Sequence, residues 1–181
     1  RHRVIAVGRL DYQKGFDRLI EAWEIVQKDN RYSDWQLDIF GQGEWLDMLQ
    51  KMIIDLKLSG TVHINKPTNQ IEQEYADSSL IVMTSHYEGF GMVLVEAMAS
   101  GVPAIAFDCK CGPKDIIQEG VNGLLVPDND IAGLAQAMMR LMGNETLRKR
   151  LSENAKAIVN TYSEEVVMNK WVNLFTSLVE K

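Results

Sequence analysis

Residues 80–103 constrain the fold more than any other stretch of the chain. Leu80-Ile81-Val82-Met83 is an unbroken apolar run, without the polar alternation of a strand wetted on one side. It reads as a strand covered on both faces. A glycine-punctuated turn, Glu88-Gly89-Phe90-Gly91, follows, and then a helix over residues 92–100 whose single charge is Glu96. Gly101 stands where a left-handed C-cap belongs, and Pro103 bars the helix from continuing. A strand, a glycine turn and a helix N-terminus in that order make an anion site, because free N–H groups and the positive end of the helix dipole face the turn. Glu88 and Glu96 bracket it with seven residues between them. On so apolar a helix Glu96 is expected to be buried, and a lone buried carboxylate needs a hydrogen-bonding partner. The ligand is expected at this turn.

The remainder alternates short apolar strands with amphipathic helices. Strands are expected at residues 4–7, 35–40, 61–65, 104–107 and 124–126. Phe16, Leu19, Ile20, Trp23 and Val26 fall at helical spacing, as do Trp45, Met48, Leu49, Met52, Ile53 and Leu56. Shorter helical pieces are expected at residues 70–75 and 115–117. The C-terminal part reads as helices over 131–142, capped by Asp130, then 145–161 and 164–179. This pattern predicts an α/β fold, a doubly wound parallel sheet of about six strands with C-terminal helices. With no repeat, low-complexity tract or linker, residues 1–181 read as one domain. In such sheets ligands bind outside the carboxyl ends of the strands. Arg9 and Lys14 follow the first strand, Lys66 the third and Glu88 the fourth, so all share that rim.

A net charge of −6 argues against a nucleic-acid partner. No apolar run approaches the ~18–20 residues that span a bilayer. The chain enters a strand at once, as though further protein preceded it. Cys109 and Cys111, one residue apart, suit reduced thiols in a cytoplasmic protein. Against this acidic background Arg9 and Lys14, on a loop with Gly8 and Gly15, stand out as cations that would neutralise a diphosphate; the alternative is a solvated loop. Gly89 and Gly91 either punctuate a turn or let a ligand touch the backbone. The Glu96 carboxylate suits the vicinal hydroxyls of a sugar, or else an internal Arg or Lys. Gly41-Gln42-Gly43 lacks the third glycine of a dinucleotide fingerprint and reads as a tight turn. Asp128-Asn129-Asp130 precedes a helix and reads as a cap rather than a metal site. The cysteines and histidines have no zinc spacing.

Jointly these residues resemble the C-terminal half of retaining, nucleotide-sugar-dependent glycosyltransferases of family 4, which have the GT-B fold. Gly8-Arg9-Leu10 with Lys14-Gly15 is similar to that family's Arg-Leu…Lys-Gly loop. Glu88-Gly89-Phe90-Gly91 through Glu96-Ala97 is similar to its Glu-x7-Glu signature, and residues 120–126 to its Gly-x-x-Gly-Leu-Leu-Val turn and strand. The resemblance covers essentially the whole chain and implies the Rossmann-like, donor-binding half of a GT-B enzyme.

By position, the resemblance implies that Arg9 and Lys14 hold the diphosphate and that Glu88 hydrogen-bonds the transferred sugar. Gly8, Gly89 and the N–H groups of Phe90, Gly91, Met92 and Val93 would contact sugar and phosphate. Glu96 would bind the ribose, and main chain from His63 to Lys66 would face the base. The implied reaction moves a hexose or N-acetylhexosamine, with retention and without a metal, from a UDP-sugar in preference to GDP or ADP donors. The acceptor would be a glycan or lipid-linked glycan of a bacterial surface polysaccharide. One departure is Cys111-Gly112-Pro113-Lys114-Asp115, where the family often has Gly-Gly-x-x-Glu. The acceptor domain is expected upstream, so this half alone should bind nucleotide and transfer sugar poorly, and any membrane contact should come through the other half. A non-catalytic nucleotide-binding or regulatory module and a GT-B sugar-nucleotide epimerase are alternative functions for the same residues.

Overall fold

Six short strands are sandwiched between two helical layers in the computed structural model, which describes residues 2–179. The strands are β1 (Arg3–Val7), β2 (Gln36–Phe40), β3 (Val62–Asn65), β4 (Leu80–Met83), β5 (Ala104–Asp108) and β6 (Gly123–Pro127). The principal helices are α1 (Phe16–Gln27), α2 (Leu46–Asp55), α3 (Ile71–Ala76), α4 (Met92–Ala99), α5 (Pro113–Ile116) and α6 (Ile131–Met142). Then come α7 (Glu145–Ala155), α8 (Val159–Tyr162) and α9 (Glu164–Val179). All strand pairs are parallel, in the order β3-β2-β1-β4-β5-β6. The chain builds outward from β1 in one direction and then returns to start β4 on β1's other side. The β1–β4 junction is therefore the topological switch point, where the loops leaving two neighbouring strands diverge and leave a crevice.

Alternate residues of the central strands feed opposite cores, which is why β4 is apolar throughout. Val4 and Ala6 of β1 and Leu80 and Val82 of β4 join a core with Leu19, Ile20 and Trp23 of α1 and Leu134 and Met138 of α6. Ile5, Ile81 and Met83 face the other way, against Leu94, Ala97 and Met98 of α4, Tyr75 of α3 and Ile116 of α5. Each fully buried Leu, Ile or Met contributes roughly 1.5–3 kcal/mol, so both faces of the central strands are held firmly. Helix α4 ends as expected. Gly101 has φ +80°, its N–H donates to the Met98 carbonyl, and the Val102 N–H donates to that of Ala97, the paired bonds of a Schellman cap.

Two details differ from the sequence reading. The helix expected over 145–161 is α7, a 3-10 turn at Lys156–Ile158 and α8. The backbone stays in the right-handed helical region throughout, while its hydrogen bonds tighten by one residue. The Asp128-Asn129-Asp130 stretch divides its work: Asp130 caps α6 by accepting from the Gly133 N–H at 2.8 Å, whereas Asp128 pairs with Arg18 at 2.9 Å. Helix α9 buries none of its residues and leaves Met168, Trp171, Val172 and Phe175 about half exposed. Among the described residues no helix is long and apolar enough to cross a membrane.

Candidate functional site at the switch point

Two loops face each other across the β1–β4 crevice. The first runs from Gly8 to Gly15. Its early part is pinned to the turn after β2: Gly8 N–H donates to the Phe40 carbonyl, Leu10 N–H to that of Gln42, and Trp45 N–H to that of Leu10. The backbones approach so closely that a Cβ on Gly41 would stand 2.0 Å from the Gly8 oxygen, and one on Gly43 2.3 Å from the Leu10 oxygen. Those glycines are required by close approach rather than by a turn. Asp11 accepts from the Lys14 N–H and closes a 3-10 turn, Tyr12–Lys14. Gly15, at φ +58°, then starts α1 in a space where a Cβ would strike the Thr84 oxygen at 2.4 Å.

The second loop runs from Thr84 to Gly91 and is bound to the first at several points. Thr84 Oγ1 donates to the Lys14 carbonyl, His86 N–H donates to the Gln13 carbonyl, and Gln13 Nε2 donates to the Tyr87 carbonyl. The Tyr12 and His86 rings stack at 4.2 Å. Beneath them Arg18, 4% exposed, donates to the Thr84 carbonyl and Asp128 and lies over the Phe107 ring. The Cys111-Gly112 turn supports the far side: both residues have positive φ, and a Cβ on Gly112 would stand 2.3 Å from the Phe90 oxygen.

Lys14 and Glu88 meet across the crevice at 2.6 Å, their side chains only 16% and 6% exposed. Ser85 Oγ donates to the same Glu88 oxygen, Oε1, at 2.5 Å. Among the described residues nothing donates to Oε2. Arg9 is disposed differently. It is 71% exposed, and its guanidinium rests on Asp11 at 3.2 Å and on Gln13 Oε1 at 3.0 Å.

Helix α4 begins at Gly91, φ +102°, with no side-chain cap and no acidic residue in its first turn. Among the described residues, the N–H groups of Phe90, Gly91, Met92 and Val93 meet no acceptor. A cavity of about 410 Å³ reaches α4 at Glu96 and is lined also by Gly8, Arg9, Phe40, Gln42 and Tyr75, and closed by Pro67, Thr68 and Ile71. Its walls are mostly carbon, with charge only at Arg9 and Glu96, the character of a small-molecule pocket.

The burial expected of Glu96 falls to Glu88 instead. Glu96 is exposed, not buried, because it stands on the edge of α4 that faces the cavity rather than the sheet. It accepts a 3.1 Å bond from the Tyr75 hydroxyl. Burial first, and then the Glu96 charge, raise the Tyr75 pKa far enough to keep that donor protonated. Glu88 is the enclosed carboxylate. Lys66 is exposed and does not line the cavity, whereas the adjacent Pro67 and Thr68 do. Gly41 and Gln42 line it too, so Gly41-Gln42-Gly43 is a wall as well as a tight turn. Phe40, Ile71 and Tyr75 are not distinguished in the sequence because ring and aliphatic side chains in a strand or short helix look like core, and Thr68, a loop residue, carries no signal of its own. Cys109 is buried, its thiol pushed up to about 11 by burial and by Glu88, and is held unreactive. Among the described residues no group of histidine, cysteine and carboxylate side chains has a metal-binding arrangement.

Stability should separate the two cations. Lys14→Ala leaves the enclosed Glu88 without its counter-charge and is expected to cost about 1–3 kcal/mol in urea unfolding. Arg9→Ala, on the surface, should stay within about 0.5 kcal/mol of the parent. Equal losses would show that the pair is no more enclosed than Arg9.

A pH effect follows from His86. Its Nε2 is buried without a partner, and burial, then the nearby Arg18 cation, hold its pKa below the usual histidine value. A depressed folded pKa favours the neutral ring in the folded state. That stabilisation is therefore complete above about pH 6.5 and is lost as pH falls through the lower folded value. His86→Phe keeps the ring on Tyr12 and should flatten the loss of stability between about pH 7 and 5. An unchanged slope would assign the acid sensitivity elsewhere.

Comparison with known proteins agrees with this geometry. The chain is 37% identical over 179 residues to an exopolysaccharide phosphotransferase of Streptomyces coelicolor, covering 98% of this chain and 19% of that protein. It is 39% identical over 171 residues to the amylovoran biosynthesis glycosyltransferase AmsD of Erwinia amylovora, covering 94% and 47%. A TarM variant of Staphylococcus aureus, solved with fondaparinux, α-GlcNAc-glycerol and UDP, superposes with a TM-score of 0.90 at 34% identity, covering 96% of this chain and 35% of TarM. The chain thus spans less than half the length of each. The model of the family described as glycosyl transferases group 1 matches residues 1–158, and the chain belongs to that family.

Proposed function

We propose that this chain is the donor-binding half of a retaining glycosyltransferase that moves a hexose or N-acetylhexosamine from a nucleotide diphosphate sugar, UDP-sugar first, to a glycan or lipid-linked acceptor. The observation that carries the reading is one cavity lined by both Arg9 and Glu96, the latter on the helix whose first N–H groups have no acceptor among the described residues. A nucleoside fits its apolar walls. The ribose hydroxyls would donate to Glu96, held by Tyr75. The diphosphate would lie between the α4 amides and the Gly8–Gly15 loop, where Arg9 and Lys14 meet its charge. The sugar would then reach Glu88.

In this reading the chemistry is electrostatic. Charge builds on the departing diphosphate as the glycosidic bond breaks, and fixed donors aimed at it lower the barrier without a metal. The acceptor would attack from the face the diphosphate leaves, which retains the anomeric configuration. Support for UDP comes from the UDP-bound TarM structure, and support for a glycan acceptor from that structure and from AmsD, whose name places it in amylovoran biosynthesis. Both relatives are longer than this chain, so we assign the acceptor site to further protein outside it. A second reading, a nucleotide-binding module that performs no glycosyl transfer, draws on the Streptomyces relative, a named phosphotransferase of which this chain covers only 19%.

Calorimetry of the chain against UDP, GDP, ADP and their sugar conjugates tests the reading. UDP and UDP-sugars should bind, and Arg9→Ala and Lys14→Ala should each lose roughly 1.5–3 kcal/mol of diphosphate affinity. Glu96→Gln should weaken uridine more than pyrophosphate. Unchanged affinity in both cation variants, or equal weakening by Glu96→Gln, would remove those groups from the site. Rapid transfer by this chain alone would overturn its assignment as a donor half.

A further inference from the structure

We infer that Ser85 is a positioning residue for Glu88, holding its carboxylate so that one oxygen stays free for a hydroxyl of the donor sugar. The inference rests on the donor-sugar reading of the site and adds to it the device that orients the carboxylate. Both internal donors, Lys14 Nζ at 2.6 Å and Ser85 Oγ at 2.5 Å, end on Oε1. Left to itself, an enclosed carboxylate facing an ammonium turns to share both oxygens with it. A second donor fixed beside the first removes that freedom and leaves Oε2 as the unused acceptor.

The second donor has to be rigid, and Ser85 is. It is 1% exposed and follows Thr84, also 1% exposed. Thr84 is tied on two sides: its hydroxyl donates to the Lys14 carbonyl and its own carbonyl accepts from Arg18. The backbone that carries Ser85 is therefore fastened to the backbone that carries Lys14. Both donors reach Glu88 from one frame. Glu88 also sits on a main chain held by its own N–H, which donates to the Lys110 carbonyl at 3.3 Å. Ser85 itself has no part in the ion pair's charge balance. Its effect on a ligand is exerted through the angle of the carboxylate.

The test is a split between nucleotide and sugar. Calorimetry measures the affinities of the parent, Ser85→Ala and Ser85→Thr for UDP and for UDP-N-acetylglucosamine and UDP-glucose, after thermal unfolding has confirmed that each variant is folded. The parent is expected to prefer at least one UDP-sugar to UDP. Ser85→Ala should lose about tenfold in affinity for that sugar nucleotide, the worth of one charge-assisted hydrogen bond, and stay within about twofold for UDP. Ser85→Thr keeps the hydroxyl and should restore the preference. A preference that survives in Ser85→Ala, or a loss shared equally by UDP, overturns the positioning role and leaves the donor site intact. A parent that shows no preference, or no binding, overturns the donor-sugar reading instead. The Ser85–Glu88 clasp is then judged by urea unfolding of Ser85→Ala, Glu88→Gln and the double variant without ligand. Additive losses there would dispose of the clasp, and coupled losses would keep it.

Discussion

The ammonium of Lys14 and the carboxylate of Glu88 lie 2.6 Å apart in a place that water scarcely reaches, and the geometry of the crevice depends on their meeting. Neither charge would tolerate that enclosure alone. The cost of desolvating one is offset only by the other, and only when the remaining hydrogen-bonding capacity is also met. Such a pair adds little net stability, but it accepts one arrangement of the loops that carry it. Seventy-four residues separate the partners in the chain. They are neighbours in space because β1 and β4 pair directly at the switch point, and the sheet order places their two loops opposite each other.

Around that pair the backbone is arranged for closeness. Gly41 and Gly43 let the turn after β2 lie against the Gly8–Gly15 loop, Gly15 lets α1 start beneath Thr84, and Gly112 lets the turn after β5 touch Phe90. Each contact is one in which any Cβ would collide with a carbonyl oxygen. The result is a rim made largely of main chain, stiffened by side chains such as Arg18 and Gln13. Stiff backbone is useful here, because unpaired N–H groups at the start of α4 can serve an anion only if they do not fold back to find acceptors of their own.

How far this was legible in the sequence differs from residue to residue. The apolar run 80–83 declares a strand covered on both faces, and the placement of Arg9, Lys14 and Glu88 after strands is enough to put them on one rim. Local chemistry was enough for that. What the sequence did not carry was the partner of each charge. Glu96 looked buried because its neighbours on α4 are apolar, yet the helix turns that edge to a cavity. Glu88 stands on a glycine turn, where local sequence carries no sign of enclosure, yet Lys14, Ser85 and the Cys111-Gly112 turn enclose it. Nothing in the local sequence marks Arg18; its partners Thr84 and Asp128 are 66 and 110 residues away. Periodicity reports which face a helix buries. It is silent on contacts made between loops that only the sheet order brings together.

The two cations of the rim are consequently not equivalent, although their sequence positions suggested a pair. Arg9 rests on Asp11 and Gln13 at the surface, in contacts of a kind worth roughly 0–1 kcal/mol. On the proposed function, an arriving diphosphate would need to overcome little to recruit it, and the guanidinium could then meet phosphate oxygens with two parallel bonds. Lys14 is bound into a desolvated pair, with its stem against Gly8, and moving it would strand Glu88. On that proposal Lys14 would supply a fixed field and Arg9 a recruited clamp. That division also explains why the loop between them is so heavily tied. Gln13 touches Arg9 on one side and the Tyr87 carbonyl on the other, so Arg9 is joined through it to the same turn that carries Glu88.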